Sequence, residues 1–244
     1  MAKKTTAPEI DLATLEKLMG EMINLYNDSI DAKGIAKRSA PKAKKRTTRK
    51  GRPKHNGYLQ LKISLNGIKP LIWRRVVVDP TLSLEDMNEV IWGVMPWDGS
   101  HMHSFSNKTI SVTVPYEEDP FNDDTDDYES LVIGDFFTEV GDKSQYEYDF
   151  GDSWEHTILL EKIVEPLEKR RAKFITGKCM APPEDCGGVW GYENLKEVMQ
   201  DPTDPEYQEM RDWMGMDDDE VFDPKDLGFT AEDIAELNEE FEGM

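Results

Sequence analysis

The chain has 244 residues, 38% of them hydrophobic and including nine Phe, eight Tyr and six Trp, enough to bury one good core. Its formal charge is −21, and it contains no run of eighteen apolar residues, which excludes a membrane span. The start "MAKKTTAPEIDL" lacks the apolar stretch of a secretory signal, and two cysteines, Cys179 and Cys186, are too few for a disulfide framework, so the expected location is cytoplasmic.

The charge is unevenly spread. Residues 33–54 hold eleven of the 29 Lys and Arg and no acid, whereas residues 55–244 hold fifteen basic against forty-four acidic side chains. A body that acidic repels a phosphate backbone, so any nucleic-acid contact is expected from the basic run.

In chain order, residues 9–30 read as an amphipathic helix capped by Asp11, with Leu12, Leu15, Met19, Met22, Ile23 and Tyr26 at helical spacing. The low-apolar basic run that follows reads as a flexible linker. The expected domains are therefore an N-terminal helix over 1–32, a basic linker over 33–56 and a folded body over 57–244.

The body begins with "YLQLKISL", whose strict alternation predicts a half-buried strand showing Leu59, Leu61, Ile63 and Leu65 to the core. Asn66-Gly67 turns the chain into a second strand ending at Val78. Ser83 and Asp86 suit a capping box for a helix to about Met95, with Leu84, Met87, Val90, Ile91 and Val94 as its apolar stripe. "HMHSF" and "TISVTV" read as strands, and residues 117–129, with eight acids in thirteen, as an exposed loop. "QYEYDF" and "SWEHTILLEKIV" form the clearest hairpin, turning near Gly151-Asp152. Helices are expected from about Tyr192, from Asp204-Pro205 with the proline at the first helical position, and from Thr230. Strands, one early helix, more strands and terminal helices predict an α+β fold with a mainly antiparallel sheet.

Four ordered blocks, "IKPLIWRRVVV", "SLEDMNEVIWGVMPWDGSHMHSF", "YEYDFGDSWEHTILLEKI" and "APPEDCGGVWGYENL", resemble the plasmid pRiA4b Orf3-like family over about residues 57–240. The resemblance implies association with plasmids or mobile elements and prescribes no activity. Some members carry a name that implies a transposon resolvase. That chemistry needs an activated serine among clustered arginines, and no such motif stands here. The chain also departs from the usual pattern at Pro96, at Gly99 and at Met180-Ala181-Pro182-Pro183.

The hairpin segment "YEYDFGDSWEH" supports two readings. In the plainer one, Tyr146, Tyr148 and Phe150 share one strand face, and Trp154, His156, Ile158 and Leu160 share the next. His156 is then a core-edge histidine, and His101 and His103 bond across the sheet to the nearby acids. In the sharper one, His101 and His103 stand about 7 Å apart on one strand face and hold zinc or another divalent metal. Asp149, Asp152 and His156 would complete that set. The Pro182-Pro183 and Gly187-Gly188 pairs predict a rigid loop against the body, and Trp97, Trp154, Cys186 and Trp190 are the candidate pocket lining.

"RKGRPK", residues Arg49, Lys50, Gly51, Arg52, Pro53 and Lys54, has the chemistry of an AT-hook. An extended Gly-Arg-Pro wedge lays its arginine along a narrow A·T minor groove while flanking lysines meet phosphates. The alternative is a solvated basic linker. The leading expectation is a non-catalytic accessory protein, tethered to A·T-rich DNA through residues 44–54, whose acidic body binds a protein partner or ligand. A metal-dependent hydrolase and an adaptor without DNA binding are the alternatives.

Overall fold

The computed structural model describes residues 55–114, 125–217 and 219–242, within a unit running from Gly51 to Met244. The expected helix over 9–30, the basic linker and the AT-hook-like motif lie outside the described residues. Among those described, no helix is long and apolar enough to cross a membrane.

The strands are β1 (Tyr58–Leu65), β2 (Trp73–Val78), β3 (His103–Ser106), β4 (Ser111–Thr113), β5 (Lys143–Tyr148), β6 (Trp154–Val164) and β7 (Ala172–Lys178). The helices are α1 (Leu84–Val94), α2 (Thr125–Ser130), α3 (Gly188–Val198), α4 (Tyr207–Trp213) and α5 (Ala231–Glu240), with a 3-10 turn at Ile133–Phe136. All seven strands form one sheet in the order β4-β3-β5-β6-β1-β2-β7, and every pairing is antiparallel. The fold is α+β, as the succession of elements implies.

The alternation in β1 does what its period dictates. Leu59, Leu61, Ile63 and Leu65 are wholly buried while the residues between them are half-buried. Each such burial is worth about 1.5–3 kcal/mol relative to exposure. On the opposite face Glu161 accepts two bonds from Arg75, at 2.6 and 2.8 Å, and one from Gln60 at 2.7 Å, tying β6, β1 and β2 together across the polar side. In α1 the Ser83 hydroxyl accepts from the Asp86 N–H at 3.0 Å, and Leu84, Met87, Val90, Ile91 and Val94 are buried.

Arg74 breaks the apolar face of β2. It is fully buried, yet Nε donates to the Val94 carbonyl at 2.7 Å and Nη1 to the carbonyls of Trp73, Lys178 and Cys179 at 2.9–3.2 Å. Val94 ends α1, where orphaned carbonyls and the negative end of the helix dipole favour a cation. Burial lowers the guanidinium to about 10, so it keeps its charge at neutral pH. The pin joins α1 to the β2–β7 edge of the sheet.

Edge strand β7 is covered in an unusual way. The Asn238 carboxamide on α5 accepts from the Phe174 N–H at 2.7 Å and donates to the Phe174 carbonyl at 3.2 Å. One side chain thus replaces one peptide of a missing neighbour strand and blunts the edge.

Three local expectations change. Residues 125–130 are helical, and Tyr128 is buried, because its ring finds a place against His103. α3 begins at Gly188 rather than near Tyr192. Gly187 enters with φ 89°, and Gly188 lies so close to the β5–β6 turn that a Cβ would stand 2.5 Å from the Asp152 carbonyl oxygen. α4 begins at Tyr207, since Asp204 spends its carbonyl on the Tyr207 N–H and its carboxylate on the Glu206 N–H. Pro205 therefore sits in a turn, not at the first helical position.

Candidate metal centre

Three loops meet where β3 begins. They are residues 98–102, the β5–β6 turn over 149–153, and residues 179–187. His101 stands on the first, Asp149 opens the second, and Glu184 and Asp185 belong to the third. His101 Nδ1 lies 3.6 Å from Asp149 Oδ1, and its Nε2 lies 3.3 Å from Glu184 Oε2 and 3.4 Å from Asp185 Oδ1. One donor atom each from His101, Asp149 and Asp185 falls within 4.8 Å of the others. A single small cation fits among such atoms after modest side-chain movement, and one imidazole with carboxylates is a donor set that suits zinc or manganese.

Local backbone explains how the carboxylates reach this point. Asp149 and Asp185 both have φ 54°, in the left-handed region that few non-glycine residues occupy. Asp149 is stabilised there by the Gly151 N–H donating to its Oδ1 at 2.9 Å and by its own N–H donating to the Met102 carbonyl at 2.9 Å. Glu184 is held from behind, its Oε1 accepting from the Asp98 N–H at 2.9 Å and from the Tyr148 hydroxyl at 3.0 Å. Partial burial raises its pKa, with the Asp98 and Tyr148 hydrogen bonds opposing. Strain of this sort is retained mainly where a site needs a side chain aimed in one direction.

The remaining predicted ligands lie apart. Asp152 is in the same turn, but its Oδ2 accepts the Gly187 N–H at 3.1 Å and so fixes the third loop. The strand begins only at His103, so His101 and His103 do not share a strand face as the spacing implied. His103 turns into the core, where its Nε2 lies 2.6 Å from the Tyr128 hydroxyl, and burial lowers it to about 4. His156 is wholly buried between Trp97 and Tyr146. Neither of its ring nitrogens has a hydrogen bond of normal geometry. Burial drives its pKa down to about 4, against a smaller raising effect from the backbone of Trp154 and Tyr146.

The four candidate pocket residues separate likewise. Trp97 and Trp154 are buried, and Trp97 stacks on Tyr148 at 4.9 Å while its Nε1 donates to the Pro182 carbonyl at 2.9 Å. Trp190 projects outward, 87% exposed. Cys186 lines a cleft of ≈ 440 Å³ between α3 and α4. Its thiol is pushed up to about 12 by burial and by the charges of Asp152 and Asp185, so it remains protonated and is no nucleophile.

Glu184 and Asp185 were missed as candidates. The signal was present in their placement between Pro183 and Gly187, where a stiffened loop presents adjacent acids in a fixed direction.

Residues 57–231 match the family described as plasmid pRiA4b ORF-3-like protein. The chain belongs to that family. The chain is also similar to the Sinorhizobium fredii protein named "Uncharacterized protein y4hQ". It is 34% identical over 163 residues, covering 66% of this chain and 82% of the relative. A crystal structure titled as a protein of unknown function, MM3350 from Methanosarcina mazei Go1, is similar with a TM-score of 0.59 and 34% identity. That match covers 72% of this chain and 96% of the other.

Proposed function

We propose that the folded body is a metal-dependent ligand-binding module of an accessory protein, with His101, Asp149 and Asp185 as the protein's ligands to one divalent cation. The observation that carries this reading is the convergence of the three donors within 4.8 Å. Two of them stand on left-handed backbone at Asp149 and Asp185. Three protein ligands leave positions for water or a bound molecule. Beside the site lies the cleft, which shares Asp185.

Elemental analysis of untagged protein tests this reading. Wild type should carry a stoichiometric transition metal, and His101→Ala and Asp149→Asn should each lose it while melting close to metal-free wild type. Metal-free wild type that gains no thermal stability from added zinc or manganese defeats the proposal. In that case His101 only bridges the carboxylates of Asp149, Glu184 and Asp185.

A hydrolytic role is the second reading, and Glu184 favours it. Its Oε2 faces His101, and its raised pKa suits a general base for a metal-bound water. Glu184→Gln should then abolish a metal-dependent hydrolysis without releasing the metal.

The basic run supports a tether to A·T-rich DNA as part of the same accessory role, on plasmids or other mobile elements. Its support is the sequence "RKGRPK" and the charge contrast with the body. Binding that weakens steeply with salt and disappears on deleting residues 33–54 is the expected result. Binding unaffected by that deletion removes the tether from the proposal.

A further inference from the structure

We propose that the cleft between α3 and α4 is a binding site for a small organic cation, an alkylammonium or guanidinium group on a short apolar stem. This goes beyond the metal reading and does not require it. The cleft is open to solvent and has a volume of ≈ 440 Å³, within the small-molecule class. Its wall combines the carboxylates of Asp185, Glu206 and Glu209 with the apolar surface of Leu195, Met210 and Trp213. No basic side chain lines it.

The cations on the two flanking helices are committed elsewhere. On α3, Lys196 Nζ donates to the Lys69 carbonyl and to Glu193, both at 2.9 Å. On α4, the guanidinium of Arg211 donates to the carbonyls of Asp217 and Glu220. Among the described residues, none of the ion pairs involves Glu206 or Glu209, and both are exposed. Trp213 is half exposed at the cleft, offering an indole to a cation. Carboxylates lining a cleft with no basic side chain among them attract cations and reject carboxylates and phosphates.

Chemistry sets the ligand class. The carboxylates select positive charge, the Leu195–Met210–Trp213 surface takes a hydrocarbon stem, and the volume favours a free amine over a folded partner. Glu206 and Glu209 are three residues apart and share one side at the start of α4, so two carboxylates serve one ammonium group.

Isothermal titration of the full chain with 1,5-diaminopentane, with pentane-1,5-diol as the uncharged control and pentalysine as the peptide control, tests the inference. Diamine binding is expected and diol binding is not. Glu206→Gln/Glu209→Gln should weaken the diamine by about tenfold or more, and Trp213→Ala should weaken it as well. Both variants change surface residues, and their melting temperatures serve as the folding check. His101→Ala should remove any bound metal and leave diamine binding at least as tight as in wild type, since Asp185 is then free for the amine, which separates failure of this site from failure of the metal centre. Equal binding of diol and diamine, or a double variant that binds as wild type does, overturns the inference. Tight pentalysine binding with no diamine binding also overturns it, in favour of a peptide surface.

Discussion

Along β1 every second side chain is an aliphatic residue with no exposure, whereas the loops at the start of β3 gather three carboxylates around one histidine. The first region is regular, cross-linked on its polar face and built from residues that ordinary strand preference selects. The second carries two aspartates on left-handed backbone and like charges held close together, both of which oppose stability. Stability resides in the central sheet and its pins. The candidate site draws on that stability without adding to it, a division seen wherever side chains must be aimed in advance of a ligand.

The sharpest way to break this comparison is to unsettle the sheet side. Arg74→Met leaves the carbonyls of Val94, Trp73, Lys178 and Cys179 without their donor and should cost about 3–5 kcal/mol. Urea denaturation followed by circular dichroism measures it. A variant as stable as wild type would show that α1 does not need the pin.

Next in size is a pH effect inside the core. Burial holds His156 at about 4 against an ordinary 6.5. The unfolded chain therefore binds a proton that the folded one refuses as pH drops through that window. Stability is full above pH 6.5 and falls towards pH 4, by on the order of 3 kcal/mol from this residue. His156→Leu removes its share of the dependence, leaving that of the similarly lowered His103, along with two unpaired buried nitrogens. It should match or exceed wild type at pH 7, with an advantage that widens at pH 5. A constant difference across that range would exclude the titration of His156 as the cause.

Asn238→Ala comes third. It uncovers the Phe174 peptide on the β7 edge, for an expected loss of about 1–3 kcal/mol. Concentration-dependent association should accompany the loss, because an open edge pairs with another chain. Analytical ultracentrifugation tests this consequence, and a strictly monomeric variant would leave the edge-blunting role without support.

The smallest effect sharpens the contrast from the site side. Asp185→Gly relieves a left-handed aspartate but gives the unfolded chain more freedom, so stability should change by no more than about 1 kcal/mol. Metal binding should nevertheless be lost. A large destabilisation here would mean that the loops are structural.

Much of this was legible in the order of the residues. The period of two in β1 and in the β5–β6 hairpin, the caps at Ser83 and Thr230, and the stripe of α1 each depend on neighbours within a few positions. Tyr128 was not readable as a core residue, because it stands among acids that mimic a solvated loop and finds its partner His103 twenty-five positions away. Arg74 was equally hidden. A cation on an apolar face becomes intelligible only when four carbonyls from three segments surround it.

The candidate site divides along the same line. By itself, the sequence determined that the chain belongs with α+β proteins, and it marked His101 and Asp149 as candidate ligands and the Pro182-Pro183 to Gly187-Gly188 stretch as a stiff loop. Only the tertiary structure decided that His101 and His103 part company, that His156 is sealed among aromatic rings, and that Glu184 and Asp185 supply the missing acids. The physical reason is range. Periodicity and capping act over one turn or one strand pair, whereas a ligand set is assembled by loops brought together when the sheet closes.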